Sequence, residues 1–204
     1  LQRAYQEAAL AKGKDDQEMQ RAVLRQQFGL PADAVIFCFV GSGFERKGLA
    51  SAIRAIAGTS AWLVVVGQDK AENRYRDLAR SLGCEGQIRF LGMQKETLPF
   101  YQLSDGLLLP TLYDPFPNVI LEAMACGLPV ITSESCGGSE FIEQGQNGFY
   151  CDALDIRTLK EAVMSIPSLE KNNNMGLAAR ERVREATPEK LSSQLISLYQ
   201  KLLD

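Results

Sequence analysis

Short apolar runs alternate along the chain with stretches whose apolar side chains recur every three or four residues. Residues 34–40 are rich in Val, Ile and Phe, and a run of that length bounded by turn residues predicts a strand buried on both faces. Trp62–Val66, Gly106–Leu109 and residues 128–132 repeat the pattern, and residues 88–91 are a weaker copy. Between these runs, residues 49–57 place Leu49, Ile53, Ile56 and Ala57 on one helical face. Residues 73–82 do the same with Tyr75, Leu78, Ala79 and Leu82 and stop at Gly83; residues 118–126 stop at Gly127. Upstream, residues 15–28 carry Met19, Val23 and Leu24 near helical spacing before the stop Gly29-Leu30-Pro31. The tail, residues 155–204, predicts helix throughout, with Leu195, Ile196, Tyr199 and Leu202 as the apolar stripe of its last helix. Strands alternating with helices imply right-handed crossovers. The expected fold is therefore α/β: a Rossmann-like, doubly wound parallel sheet of about six strands with helices on both faces. Residues 1–204 are expected to form one domain, with a helical lead-in (1–29) and a helical tail (155–204).

Composition narrows the chemistry. The net charge is −3, so no global positive field recruits nucleic acid. Histidine is absent, which removes Ser-His-Asp and Cys-His nucleophilic machinery and the commonest metal ligand. The five cysteines, Cys38, Cys84, Cys126, Cys136 and Cys151, are odd in number and widely spaced. They suggest neither a disulfide framework nor a zinc site, and a reducing cytosol is expected. No apolar stretch is long enough to span a bilayer, and no signal peptide is evident. The chain starts at Leu1, which suggests a fragment or a processed product.

In open parallel sheets, ligands bind beyond the carboxyl ends of the strands, so the loops just after each strand are the informative ones. The first is Gly41-Ser42-Gly43-Phe44-Glu45-Arg46-Lys47-Gly48. Its glycines let a ligand approach the backbone, and Arg46 and Lys47 bring two cations to the start of a helix, which suits phosphate. It is neither a Walker A loop nor G-x-G-x-x-G, and a tight turn with a solvated basic pair is the plain alternative. The second runs from Leu108 to Glu122, where a proline-rich loop leads into a helix at Pro117 or Asn118. Asp114 precedes that helix and Glu122 lies inside it, an arrangement suited to gripping a long ligand at two points around the helix N-terminus. Taken singly, Asp114 reads as an N-cap and Glu122 as an exposed helix carboxylate. The third is Ser135-Cys136-Gly137-Gly138-Ser139-Glu140, with two glycines expected at a helix start and an ordinary turn as the alternative.

Together these loops resemble a known family. The pattern is Phe39-Val40-Gly41 with Arg46-Lys47-Gly48, then Val65-Val66-Gly67, Phe90-Leu91-Gly92, Tyr113-Asp114-Pro115-Phe116-Pro117-Asn118, Leu121-Glu122 through Val130, and Gly137-Gly138 with Glu140. It is similar to the C-terminal, donor-binding domain of retaining GT-B glycosyltransferases of family 4 (group 1). It is nearest to the lipopolysaccharide-core glucosyltransferases, which share the strings at residues 41–48 and 66–70. The resemblance covers roughly residues 20–200.

The resemblance implies the following roles. The family's paired glutamates fall on Asp114, one methylene shorter, and Glu122. Asp114 would meet the donor sugar's hydroxyls, with the backbone amides of Phe116, Asn118 and Val119 beside it; Pro117 has no N–H. Glu122 would hold the ribose hydroxyls. Arg46 and Lys47 would bind the diphosphate and stabilise the leaving nucleotide. The family's usual arginine after the first glycine is Ser42 here, with Arg46 in its stead. Gly41, Ser42, Gly43 and Gly67 would line the donor site, and Gly92, Met93 and Gln94 would meet the base through main chain. The implied reaction is retaining, metal-independent hexosyl transfer from a nucleotide sugar, a UDP-sugar by subgroup, to a glycan or lipid-linked lipopolysaccharide-core acceptor. No cofactor is implied, and no nucleic acid. The family's acceptor-binding N-terminal domain has no counterpart in these residues, so the chain alone is expected to bind donor weakly and not to turn over. A cytoplasmic place is implied, with any peripheral attachment to the inner membrane lying in that other domain. Two other readings stand beside this one. A dinucleotide-dependent oxidoreductase would use Asp69, but the glycine spacing is wrong. A non-catalytic nucleotide-sugar-binding module is left room by Asp114.

Overall fold

The computed structural model describes residues 13–115, 117–166, 174–184, 192–193, 196–197 and 199–200. Six strands form one sheet: β1 (Ile36–Val40), β2 (Trp62–Val66), β3 (Ile88–Gly92), β4 (Gly106–Leu109), β5 (Val130–Ser133) and β6 (Gly148–Cys151). Their order is β3-β2-β1-β4-β5-β6, and every pair is parallel. The order reverses between β1 and β4, the switch point where a crevice opens in a doubly wound sheet.

Among the described residues, these helices cover the sheet: α1 (Lys14–Gln27), α2 (Leu49–Ile56), α3 (Glu72–Ser81), α4 (Leu98–Leu103), α5 (Asn118–Ala125), α6 (Ile156–Ser165) and α7 (Asn174–Val183). Right-handed crossovers put α2 and α3 on one face, where α6 joins α2; α4 and α5 lie on the other, where α1 packs on α4 and α7 on α5. β1, β4 and β5 are buried from end to end, as strands covered on both faces must be, which is why β1 and β4 read as apolar runs; in β5 the buried hydroxyls of Thr132 and Ser133 donate to the Leu109 and Thr111 carbonyls.

The lead-in helix differs from expectation. Met19 and Val23 are exposed, whereas Arg21 and Arg25 are buried. Both arginines reach Asp105, itself fully buried at the start of β4; Arg25 Nη2 donates to Asp105 Oδ2 at 2.8 Å, and Arg21 pairs with Oδ1. Asp105 Oδ2 also accepts from the Ile36 amide at 2.7 Å, and Arg25 Nε donates to the Leu103 carbonyl at 3.0 Å. Leu24 of the expected stripe does pack on the core, as does Phe28, but beside them a charged knot docks α1 against β1 and β4. Hydrophobic periodicity cannot register it, because both arginines count as surface residues until their partner is known.

Two other elements were not predicted individually: α4, only six residues long, and β6, which begins at Gly148. The tail is not one continuous helix, since Ile166 leaves the helix after α6 in extended conformation. Of its predicted last stripe, Ile196 and Tyr199 are exposed, and Leu195 and Leu202 lie outside the described residues. All five cysteines are free thiols, four of them buried.

Candidate functional site

Three strand-end loops are joined into one rim by main-chain bonds. Leu112 N donates to the Arg46 carbonyl at 2.8 Å, and Thr111 Oγ1 donates to the same oxygen at 2.9 Å, tying the β4–α5 loop to the β1–α2 loop. Gly137 N donates to the Asp114 carbonyl at 3.0 Å, tying the β5–β6 connection to the β4–α5 loop. Two glycines permit this closeness. A Cβ at Gly48 would stand 1.8 Å from the Pro110 carbonyl oxygen, and φ is +76° there; a Cβ at Gly138 would stand 2.5 Å from Ile120 Cδ1. A fourth loop joins in: Asp69, after β2, accepts from the amides of Phe44 and Ala71 at 2.8 Å each, and Ser42 Oγ accepts from Gln68 N at 3.3 Å. Asp69 thus staples two loops together.

Charge gathers at this rim. Lys47 Nζ donates to Asp114 Oδ2 at 2.6 Å, and Arg46 Nη1 donates to the same oxygen at 2.9 Å and to the Tyr113 carbonyl at 3.1 Å. Lys47 and Asp114 are buried, while about half of the Arg46 side chain faces solvent (51%). Burial pushes the Asp114 carboxyl up, but hydrogen bonds and charge from Lys47 and Arg46 outweigh it and hold the group below the usual carboxylate range. Asp114 Oδ1 accepts no hydrogen bond among the described residues. Beside this cluster α5 begins at Asn118, exposed, and Val119, half-buried. The first amides of a helix have no acceptor within it and favour an anion. Along α5, Glu122 is buried and accepts from Tyr101 Oη at 2.9 Å. Burial raises its carboxyl above the ordinary value, and the Tyr101 bond pulls the other way.

Several local expectations are corrected. Asp114 does not cap α5; the capping position is Pro117, with no side-chain bond, so the proline sits just before the first helical turn rather than within it. Asp114 is engaged with both cations instead, because aspartate's short side chain holds its carboxylate near the backbone and within their reach. Glu122 is not an exposed helix carboxylate, because the face it occupies packs towards α4. Gly137 and Gly138 open a 3-10 turn, Gly137–Phe141, not an α-helix. Gly41, Gly43 and Gly67 lie at the rim; the Lys47 stem passes 3.4 Å from where a Gly41 Cβ would be. Gly92 ends β3, Met93 is exposed, and Gln94 folds back to donate to the Leu91 carbonyl at 2.7 Å. Phe116 lies outside the described residues. Among the described residues, no three potential ligands from His, Cys, Asp and Glu gather to hold a metal ion.

The family model described as glycosyl transferases group 1 matches residues 20–182, spanning all six strands. The chain belongs to this family. As a group 1 glycosyl transferase chain, it is 33% identical over 186 residues to the lipopolysaccharide core biosynthesis glycosyltransferase LpsE of Rhizobium meliloti, covering 89% of this chain and 53% of that protein. It is 32% identical over 134 residues to the lipopolysaccharide glucosyltransferase WaaG of Escherichia coli, covering 63% of this chain and 36% of that one. A crystal structure of WaaG superposes with a TM-score of 0.70 at 28% identity, over 79% of this chain and 46% of that chain. Anabaena HepE, solved with UDP and glucose, shares the fold with a TM-score of 0.74 at 22% identity, over 90% of this chain and 52% of that one. The group 1 chain thus spans about half the length of LpsE, and it fits the C-terminal domain of a GT-B glycosyltransferase. No helix among its described residues is long and apolar enough to cross a membrane.

Two contributors to the site carried no signal in a single sequence. Tyr101 falls in the short α4, and nothing in the spacing from 101 to 122 links it to Glu122. Asp69 reads in the sequence only as the acidic residue of another enzyme class, and its Asx-type bond to the Ala71 amide and its bond to the Phe44 amide appear only in the structure.

Proposed function

We propose that this chain is the donor-binding half of a retaining, metal-independent hexosyltransferase. It would hold a nucleotide sugar, a UDP-hexose, for transfer to a glycan or lipopolysaccharide-core acceptor. The observation that carries the proposal is the convergence of Lys47 and Arg46 on one carboxylate oxygen beside the first turn of α5. Two cations and free helix amides are the equipment for a pyrophosphate. HepE, a protein of the same fold, binds UDP and glucose.

In this reading the diphosphate takes the place at the cations that the Asp114 carboxylate holds. Asp114 then turns to the sugar's hydroxyls, and Oδ1 is already free to accept them among the described residues. The amides of Asn118 and Val119 face the phosphates and the sugar. Glu122 accepts from the ribose hydroxyls, and the backbone around Gly92, Met93 and Gln94 meets the base. As the glycosidic bond breaks, negative charge grows on the departing diphosphate, and Lys47 and Arg46 stabilise it without reorganising. The acceptor and the closure that excludes water are assigned to a second domain, so this chain alone binds weakly and does not transfer.

The test is a thermal-shift series with UDP-glucose, UDP-galactose, GDP-mannose and their free sugars. Specific binding raises the melting temperature by mass action. At least one nucleotide sugar should raise it, the free sugars should not, and Lys47→Ala should abolish the rise. A shift that survives Lys47→Ala would contradict the site.

A further inference from the structure

We propose that Tyr101 is the positioning residue for Glu122: its phenol, fixed in the core, aims the carboxylate so that the second oxygen meets the ribose hydroxyls. The inference rests on the reading of Glu122 as the ribose acceptor given above.

The geometry is asymmetric. Tyr101 is wholly buried and among the largest such side chains in the protein, so its ring has nowhere to swing. Its helix is held from outside as well. Phe100 packs on Phe28 with ring centroids 5.2 Å apart, Gln20 Nε2 donates to Gln102 Oε1 at 3.1 Å, and Ser104 Oγ donates to the Phe100 carbonyl at 2.7 Å. From this base Tyr101 Oη donates to Glu122 Oε2 at 2.9 Å. Glutamate carries three rotatable bonds, and α5 alone would not choose among its rotamers. The phenol does, because a hydroxyl has one proton to give and this one is committed to Oε2.

Two consequences favour a diol ligand. Burial raises the Glu122 carboxyl above its ordinary value, and the hydrogen bond from Tyr101 favours the ionised form against that push. An ionised carboxylate only accepts, and vicinal hydroxyls are donors that match it. Oε1 accepts no bond among the described residues, and it belongs to a residue that keeps 7% of its surface. A phenylalanine at 101 would fill the same volume and leave Glu122 free to turn.

The test is a chemical double-mutant cycle on the 204-residue chain, with UDP and 2′,3′-dideoxy-UDP as probes and Tyr101→Phe and Glu122→Gln as variants. A hydrogen bond to a charged group corresponds to about a tenfold or greater preference, so the parent should bind UDP at least about tenfold tighter than its dideoxy analogue. Tyr101→Phe should lose most of that preference through weaker UDP binding, with the dideoxy affinity unchanged. Equal weakening of both ligands, as a merely structural role would give, overturns the inference. So does an intact preference. A parent without preference, or Glu122→Gln retaining all of it, overturns the ribose reading itself. Should Tyr101→Phe fail to fold, carbon NMR on the parent decides: UDP should shift both the Glu122 carboxyl and the Tyr101 Cζ resonances, and the dideoxy analogue neither. A Tyr101 resonance unmoved by UDP contradicts the proposal.

Discussion

At the scale of the residue, Asp114 gathers the two cations of the site onto one carboxylate oxygen. Its carboxylate neutralises Lys47 and Arg46, so in the proposed reading a diphosphate has to displace it. Asp114→Asn is therefore expected to bind UDP several-fold tighter than the parent while losing part of the increment that the sugar of a UDP-hexose adds. Calorimetry with both ligands separates the two effects, and an equal loss for both would contradict the exchange. Lys47→Ala should weaken UDP by about 10- to 100-fold, the range for a hydrogen bond to a charged group. The two carboxylates also act oppositely on stability. The Asp114 carboxyl is depressed in the fold, so its contribution is complete above the unfolded value of about 3.9 and is lost as pH falls through the lower folded value. The Glu122 carboxyl is raised, so stability is lost as pH rises from about 4.3 through the folded value. Thermal melts should show Glu122→Gln above the parent at neutral pH and level with it below about pH 4. Equal melting temperatures at neutral pH would mean that Glu122 is not strained by burial.

At the scale of the element, the strand-end loops are stitched to one another by main-chain bonds. Gly48 is the tightest stitch, and Gly48→Ala meets both a positive φ and the Pro110 carbonyl. Its effect should exceed the roughly 1 kcal/mol usual for glycine replacement, with a fall in melting temperature and in nucleotide affinity together. The knot of Arg21, Arg25 and Asp105 is the other load on the elements. Asp105→Asn removes the carboxylate charge that two buried guanidinium groups share and should cost about 3–5 kcal/mol, readable by urea unfolding. The strands and the helices α2, α3 and α5 were legible because each buries one continuous apolar face or run. The lead-in helix was legible as a helix, and its buried face at Leu24 but not at Arg21 and Arg25, since charged residues do not register as core. α4 offered too few residues for a period to show. At the site, the glycines, Arg46, Lys47 and the carboxylates were legible from their loops. The direct grip of the cations on Asp114 and of Tyr101 on Glu122 was not, because contacts across 67 and 21 residues leave no spacing to read.

At the scale of the molecule, the proposed function makes the rim at the topological switch point one half of a binding cleft. The chain spans about half of LpsE, and donor hydrolysis or transfer is expected only when the acceptor-binding half is supplied; efficient turnover by the 204-residue chain would overturn that expectation. The central claim is narrower: one rim, made from loops distant in sequence, receives a diphosphate. Amide NMR mapping of UDP titrated into this chain tests it most directly. The account expects shifts at Gly41–Lys47, Asn118, Val119, Gly137 and Gly138 together, and inorganic pyrophosphate should reproduce the strongest of them. Shifts confined to another surface, such as the hollow lined by Gln146, Met164 and Met175, would contradict it.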